Sequence, residues 1–225
     1  MIVVTGASRG LGRAICERLL SKNIEVLGLA RDTSETPFNA KNCDISSYDH
    51  IKLISSQLKK EGTKITGLIN AAGIASMNLA LTTPPAVAQK IIQTNLLGTI
   101  FCCQLFAPLM IRNGTGSIIN FSTIAVALGL KGESIYAASK AGVEGFTRSF
   151  AREMSDFNIN VNCIAPGPID TNLLKGITAA QISKIVSQQI ITKQFTPEAI
   201  CDLVELLLDM KSSSLSGQVF HVGGA

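Results

Sequence analysis

The chain is poor in aromatic residues and in charge. It has 225 residues with no tryptophan, and its two tyrosines are Tyr48 and Tyr136. Charged residues make up 16% of the sequence and the formal net charge is +4, so composition gives no reason to expect a nucleic-acid partner. Hydrophobic residues make up 46% of the chain, which excludes a disordered or fibrous protein.

The sequence also lacks cysteine and histidine patterns that would hold disulfides or metals. None of the six cysteines belongs to a C-x-x-C pair, and His50 and His221 stand apart. This pattern indicates buried thiols in a reducing compartment and no metal site. The first residues are strand-like and carry no signal-peptide pattern, so we expect a cytoplasmic protein. The longest apolar stretch, residues 96–111, is shorter than the ~20 residues of a membrane span and predicts a buried or interface helix.

Strand-like and helix-like patterns alternate along the whole chain. Such alternation predicts one α/β domain over residues 1–225, with a Rossmann-like, doubly wound parallel sheet of about seven strands and helices on both faces. Residues 33–42 and 172–193 are expected to be irregular, and the second stretch is expected to form a mobile substrate loop. The predicted strands cover residues 2–5, 24–30, 65–70, 117–121, 159–164 and 218–222. The predicted helices cover residues 11–22, 45–60, 84–113 (in two segments), 136–156 and 197–210.

A glycine-rich segment separates the first predicted strand from the first helix. Gly6 permits a tight turn, Gly10 lets the backbone approach a phosphate, and Gly12 lets the helix pack closely on the sheet. The N-terminus of that helix offers free N–H groups and a partial positive charge to a pyrophosphate. The segment therefore predicts a dinucleotide-binding site.

A second motif places a phenol and an ammonium one helical turn apart. Tyr136 and Lys140 are four residues apart, so both point from the same face of a helix. A free phenol has a pKa of ~10, and a nearby positive charge stabilises the phenolate and lowers that pKa. Tyr136 is therefore a candidate for the acid that protonates a carbonyl oxygen.

The G-x-x-x-G-x-G spacing and the Y-x-x-x-K motif together resemble the short-chain dehydrogenase/reductase family, most closely its 3-oxoacyl-thioester reductases. The resemblance extends over essentially the whole chain. Asn70-Ala71-Ala72-Gly73 is similar to the family's N-A-G motif, and Asn95 stands where the family has its active-site asparagine. Pro166-Gly167, with Thr171 beyond it, and the glycines of the C-terminal segment are also similar to family features.

The resemblance assigns roles residue by residue. It implies that Lys140 orients the cofactor's ribose and that Asn95 holds a water in a proton relay. The implied catalytic residues are Asn95, Thr123, Tyr136 and Lys140. The implied cofactor-binding residues are Gly6, Ser8, Arg9, Leu11, Arg31, Asp44, Ile45, Asn70, Ala71, Gly73, Tyr136, Lys140, Pro166, Gly167, Ile169 and Thr171.

This sequence departs from the family pattern at the catalytic serine. The family has that serine thirteen residues before the tyrosine, and in this chain the corresponding residue is Thr123, which follows Ser122. A threonine hydroxyl has the hydrogen-bonding capacity of serine. Successive strand residues point to opposite sides, so one of the two faces the substrate. Thr123 is the favoured candidate, and Ser122 stays open.

The residues after the second predicted strand favour NADP as the cofactor. Ala30 occupies the position where NAD-binding proteins have an acidic residue, and Arg31 follows it. Arg31 and Arg9 are placed, by resemblance, to bind a 2′-phosphate, while Asp32 argues weakly for NAD. The short segment before Asp44 predicts that the second crossover is a loop without a full helix.

The resulting hypothesis is NADPH-dependent reduction of a carbonyl to an alcohol, with a small carbonyl compound or a 3-oxoacyl thioester as substrate. Three alternatives remain: a cofactor-binding protein that has lost catalysis, an NAD-dependent short-chain alcohol dehydrogenase, and a sugar-nucleotide epimerase. The glycine spacing and the chain length argue against the epimerase. The two long helices around residues 95–112 and 136–156 carry much apolar surface, and by resemblance predict a homo-oligomer, either a tetramer or a dimer.

Overall fold

The computed structural model describes residues 1–170, 178–209 and 214–225. Its strands form one seven-stranded sheet in the order β3-β2-β1-β4-β5-β6-β7, in which every neighbouring pair is parallel. The predicted fold class is confirmed. The strands are β1 Ile2–Thr5, β2 Val26–Ala30, β3 Ala40–Asn42, β4 Gly67–Asn70, β5 Gly116–Phe121, β6 Ile159–Pro166 and β7 Val219–Val222.

Helices cover both faces of the sheet because parallel strands need crossover connections. The described helices are α1 Gly10–Ser21, α2 Tyr48–Lys60, α3 Pro85–Ile111, α4 Ala125–Leu128, α5 Ser134–Met154, α6 Ala179–Val186 and α7 Pro197–Leu208. Buried residues of α2, α3 and α5 pack on one face, while those of α1 and α7 pack on the other. Strand residues alternate between the two clusters, as Val3 and Val4 do.

Helix α3 runs without interruption where the sequence predicted two segments. A π-helical turn, Gln93–Leu97, joins its α-helical parts Pro85–Ile92 and Gly98–Ile111. By length and composition this 27-residue helix could cross a membrane, and half of its most apolar stretch is buried inside the protein. Phe106 and Met110 are fully buried in the cluster of α2, α3 and α5, as the sequence predicted for a core helix.

Two stretches that were expected to be irregular contain regular structure. The strand β3 ends the stretch 33–42, although the rest of this crossover has no helix, as predicted. Helix α6 lies inside the stretch 172–193 and corrects the expectation of an irregular loop there. A capping box explains its start: Thr178 accepts a bond from the Gln181 backbone, and Gln181 accepts one from the Thr178 backbone.

Candidate active site

The turn between β1 and α1 forms a cradle made of backbone. Gly6 and Gly10 have φ values of +71° and +57°, a region that residues with side chains avoid. A Cβ on Gly6 would lie 2.8 Å from the Ala72 Cα, and a Cβ on Gly12 would collide with the Gly6 carbonyl oxygen. The side chain of the N-cap residue Arg9 makes no capping hydrogen bond to α1, which leaves N–H groups of the first turn available to an anion. This geometry fits the pyrophosphate of a dinucleotide.

The carboxyl ends of the strands open into a cleft of about 910 Å³, which is large enough for a cofactor and a small substrate. The cleft contains most of the residues that the sequence assigned to the site. The assigned residues that line it are Gly6, Ser8, Arg9, Leu11, Arg31, Asp44, Ile45, Ala71, Gly73, Thr123, Tyr136, Lys140, Pro166, Gly167 and Ile169.

Two assigned residues, Asn70 and Asn95, do not line the cleft, and a third lies outside the described residues. The Asn70 side chain lies inside the sheet, where its Nδ2 donates to Asn120 Oδ1 at 2.9 Å. The Asn95 side chain is fully buried behind the cleft. Thr171, like most of the first part of the expected substrate loop, lies outside the described residues.

Thr123 and Tyr136 form the reactive pair at the centre of the cleft. The side chains of Thr123 and Tyr136 both line the cleft, and the Thr123 hydroxyl lies close enough to the phenol to influence its pKa. Burial raises the pKa of the Tyr136 phenol well above its usual range, the nearby Glu133 carboxylate raises it further, and the Thr123 hydroxyl opposes the rise. Tyr136 is therefore protonated near neutral pH, as an acid must be before it acts.

Lys140 lies beneath this pair and is 4% exposed. Its Nζ donates to the Phe121 carbonyl oxygen at 2.8 Å. Burial lowers the pKa of Lys140 to about 8, so the ammonium stays predominantly charged at neutral pH. The absence of a Cβ on Gly73 keeps space open beside it, since such an atom would lie 3.4 Å from the Lys140 Nζ.

Ser122 has a different environment from Thr123. Its side chain is buried, and its Oγ donates to Glu144 Oε1 at 2.7 Å, on helix α5. Glu144 also contacts Arg148 at 3.3 Å. The Ser122 side chain thus connects the end of β5 to α5 through its hydrogen bond to Glu144. The Thr123 hydroxyl instead lies by the phenol of Tyr136.

The π-helical turn in α3 places Asn95 so that it holds the loop after β4. Asn95 Oδ1 accepts from the Ile74 N–H at 2.8 Å, and its Nδ2 donates to the Ile74 carbonyl at 2.9 Å. The same Nδ2 lies 3.1 Å from Ser139 Oγ on α5. The side chain therefore fixes the loop that carries Gly73 against the helix that carries Tyr136 and Lys140. π-helical turns occur often at functional sites.

The other end of the cleft is rich in charged residues, including Arg9, Arg31, Asp32 and Asp44. Arg9 and Arg31 are exposed and line the cleft. Asp32 Oδ1 accepts from the Ser34 backbone N–H at 3.0 Å and from Ser34 Oγ at 2.7 Å, and these bonds lower its pKa. Partial burial raises the pKa of Asp44, but bonds from Ser46 and the charge of Arg31 lower it overall. Asp32 is thus engaged by its own loop.

This glycine cradle and the Thr-Tyr-Lys arrangement occur in a chain whose residues 1–182 match the sequence profile of the short chain dehydrogenases. The chain belongs to this family. It is an oxidoreductase that acts on alcohol or carbonyl groups of small molecules and uses a nicotinamide cofactor. Members of the family commonly form oligomers.

Two relatives of known name are similar over nearly their whole length. Carbonyl reductase family member 4 of Xenopus laevis is 32% identical over 229 residues, which cover 98% of this chain and 95% of the relative. The 3-oxoacyl-[acyl-carrier-protein] reductase FabG of Staphylococcus aureus is 31% identical over 235 residues, which cover 99% of this chain and 96% of the relative.

Solved structures show the same fold. The ligand-free aldohexose dehydrogenase of Thermoplasma acidophilum has a TM-score of 0.89 and 30% identity, covering 99% of this chain and 92% of that chain. A 4-hydroxyisoleucine dehydrogenase complexed with NADH has a TM-score of 0.91 and 26% identity, covering 99% of this chain and 97% of that chain.

Sequence reasoning missed the acidic residue that lines the cleft next to the reactive pair. Glu133 is 8% exposed and is the N-cap of α5. Its position three residues before Tyr136, immediately before the first turn of the helix, was the signal that could have found it. Sequence reasoning also missed Glu144, because its partner Ser122 lies on a different element.

Proposed function

We propose that this protein reduces a carbonyl group to an alcohol with NADPH. The observation that carries the proposal is that the hydroxyls of Thr123 and Tyr136 come together in the cleft, with the buried Lys140 below them. Two hydroxyls side by side in a buried cleft can both donate to one carbonyl oxygen, which is what carbonyl reduction requires.

Each of the three side chains has a defined task. Thr123 donates a hydrogen bond that polarises the carbonyl oxygen, and Tyr136 gives its proton to the same oxygen. The nicotinamide cofactor, when bound, supplies the hydride. The Lys140 ammonium stabilises the tyrosinate that proton donation leaves. In alcohol oxidation Tyr136 acts as the base.

The choice of NADPH rests on the charges at the adenine end of the cleft. Arg9 and Arg31 are exposed there and free to bind a 2′-phosphate, while Asp32 already accepts two bonds from Ser34. NAD-binding proteins use an acidic residue after β2 to bind the ribose hydroxyl, and Ala30 stands in that position. NAD is the competing candidate, because the similar 4-hydroxyisoleucine dehydrogenase was solved in complex with NADH.

The proposed substrate class rests on the names of the relatives. A 3-oxoacyl thioester is supported by the name of the Staphylococcus aureus relative, and a broader set of carbonyl compounds by that of the Xenopus laevis relative. All six cysteines are buried free thiols, which supports a location in the reducing cytoplasm.

The decisive experiment measures NADPH oxidation with a panel of ketones, aldehydes and acetoacetyl thioesters. Tyr136→Phe should lower kcat by ~10²–10⁴-fold, since it removes the acid, and should leave NADPH binding intact. Tyr48→Phe is the matched control because Tyr48 lies 41% exposed on α2. Binding of NADPH without turnover of any carbonyl would instead favour a cofactor-binding protein that has lost catalysis.

A second experiment tests the cofactor. The dissociation constants of NADPH and NADH are measured at two salt concentrations in wild type, Arg31→Ala and Asp32→Ala. Arg31→Ala should weaken NADPH binding about 10-fold and leave NADH binding unchanged, because one charge-assisted hydrogen bond is lost. The preference for NADPH should shrink as salt screens the arginines. Tighter binding of NADH, abolished in Asp32→Ala, would show that Asp32 reads the ribose.

A further inference from the structure

Glu133 is a buried residue whose carboxylate has no hydrogen-bond donor among the described residues. The residue is 8% exposed and its side chain lines the cleft. It is the N-cap residue of α5, yet its side chain caps no backbone N–H of that helix. Within the described parts of the chain no side chain or backbone group donates to its carboxylate, whereas the other buried carboxylate of α5, Glu144, is bonded to Ser122.

This arrangement costs free energy unless something else supplies a donor. Burial of most of the residue disfavours the ionised carboxylate and raises the pKa of Glu133, while its oxygens are reached by water only from the cleft. The helix N-terminus offsets part of this cost, since its partial positive charge favours an acidic residue. The remaining acceptor capacity of the carboxylate faces the cleft, where a bound molecule can satisfy it.

The position of Glu133 relates it to the reacting atoms. Glu133 immediately precedes the first turn of α5, which carries Tyr136, and both residues line the cleft. Their electrostatic interaction contributes to the raised pKa of Tyr136. A substrate whose carbonyl oxygen contacts Tyr136 therefore presents its adjoining atoms to Glu133.

We propose that Glu133 is a specificity-determining residue that accepts a hydrogen bond from an uncharged O–H or N–H group of the substrate. This inference rests on the proposed carbonyl reduction. The donor can be a hydroxyl beside the carbonyl or the amide N–H of the pantetheine-like arm of a thioester. An uncharged donor is favoured over an ammonium because desolvating a second charge offsets much of the gain from a buried ion pair.

The test compares substrates that differ by one donor. Hydroxyacetone is paired with acetone, and acetoacetyl-N-acetylcysteamine is paired with the S-propyl thioester of acetoacetate, which has no N–H. Wild type should prefer the donor-bearing member of at least one pair by about 10- to 100-fold in kcat/KM, as expected for a hydrogen bond to a charged group. A preference in the hydroxyacetone pair would identify the donor as a hydroxyl, and a preference in the thioester pair would identify it as an amide N–H.

Variants of Glu133 separate specificity from structural damage. Glu133→Leu should bring the ratio within that pair close to one, and Glu133→Gln, which keeps an acceptor oxygen, should retain part of it. Glu153→Leu, at an exposed position of the same helix, is the control and should leave the ratio unchanged. A merely structural role of Glu133 would lower kcat/KM for both members of the pair equally, and NADPH binding should stay constant in every variant.

Two outcomes would overturn the inference. They are a ratio near one for both pairs in wild type, or a ratio that survives Glu133→Leu. If wild type reduces no carbonyl, the proposed function fails separately. Calorimetric titration of the two thioesters into the Tyr136→Phe variant then decides the inference: the N–H-bearing thioester should bind at least about 10-fold more tightly than its partner, and Glu133→Leu should remove that difference.

Discussion

At the scale of single residues, two adjacent hydroxyls have different tasks. Ser122 is bonded to Glu144 inside the protein, and the Thr123 hydroxyl lies by Tyr136 in the cleft, where it also accepts from the Ala125 N–H at 3.2 Å. Thr123→Val should lower kcat by at least ~10²-fold because it removes the hydroxyl and keeps the shape, and loss of the bond from Ala125 should cost about 1 kcal/mol of stability. Thr123→Ser should retain most of the activity.

The complementary variant should act on stability. Ser122→Ala leaves Glu144 with Arg148 as its remaining side-chain partner, which should destabilise the fold by about 1–3 kcal/mol and leave kcat within a few-fold of wild type. Urea unfolding and steady-state kinetics of the three variants check both statements. The opposite ranking, a larger loss of kcat in Ser122→Ala, would assign the catalytic hydroxyl to Ser122.

The buried ammonium of Lys140 should make stability depend on pH. Its pKa in the folded protein is about 8, against an ordinary value of 10.5, so the unfolded chain binds more protons between these two pH values. The folded state is therefore penalised below pH 8 and gains stability as the pH rises from 8 to 10.5. The difference amounts to about 3 kcal/mol in the cofactor-free protein.

Lys140→Met removes the titrating ammonium. The difference in unfolding free energy between wild type and this variant therefore isolates the contribution of Lys140 from that of all other groups. Relative to the variant, wild type should gain stability between pH 7 and pH 10 in urea unfolding without cofactor. Two stability profiles that run parallel across this range would show that burial does not lower the pKa of Lys140.

At the scale of elements, helix α6 forms one wall of the cleft through Ile185. Its capping box fixes the start of the helix, so Thr178→Ala should destabilise it locally by about 1 kcal/mol. We expect faster amide exchange in residues 179–186 and a raised KM for the carbonyl substrate. Thr178→Ser keeps the cap and is the control. Equal exchange rates in both variants would contradict the role of the cap.

Element boundaries followed from the sequence where local signals were strong. The predicted strand 2–5 and helix 11–22 agree with β1 and α1 within a residue, because β-branched residues and apolar spacing act locally. The sequence pattern provided no range for the three-residue strand β3, although seven strands were expected, because β3 exists through pairing with β2, from Gly28↔Ala40 to Ala30↔Asn42. The π-helical turn was missed because contacts of Asn95 with Ile74 and Ser139 accompany it.

At the scale of the whole molecule, the homo-oligomer expected from the family remains a prediction. Helix α5 exposes three small residues on one face, Ala138, Ala141 and Gly145, which would let a second helix approach closely. Light scattering should show the mass of a dimer or tetramer, and Ala141→Arg should reduce it because a long charged side chain blocks the approach. Lys59→Glu, an exposed charge change on α2, is the control. A monomeric wild type would contradict the prediction.

The sequence by itself determined the cofactor cradle and the Tyr-Lys pair. Both depend on short-range geometry: glycine conformations in a turn after a strand, and the spacing of side chains on one helix. The alternation of strands and helices likewise determined the parallel sheet, because parallel strands require crossovers.

The tertiary structure decided what depends on contacts between distant segments. Glu144 on α5 accepts a hydrogen bond from Ser122. Thr123 is therefore the hydroxyl that lies by Tyr136 in the cleft. The Asn70 amide lies in the sheet with Asn120, fifty residues away. Glu133 acquired its importance from burial beside the cleft with no donor in the part of the chain that the structure describes, and burial is a property of the packed molecule as a whole. No local pattern specifies which polar group is removed from water, because that depends on every segment packed around it.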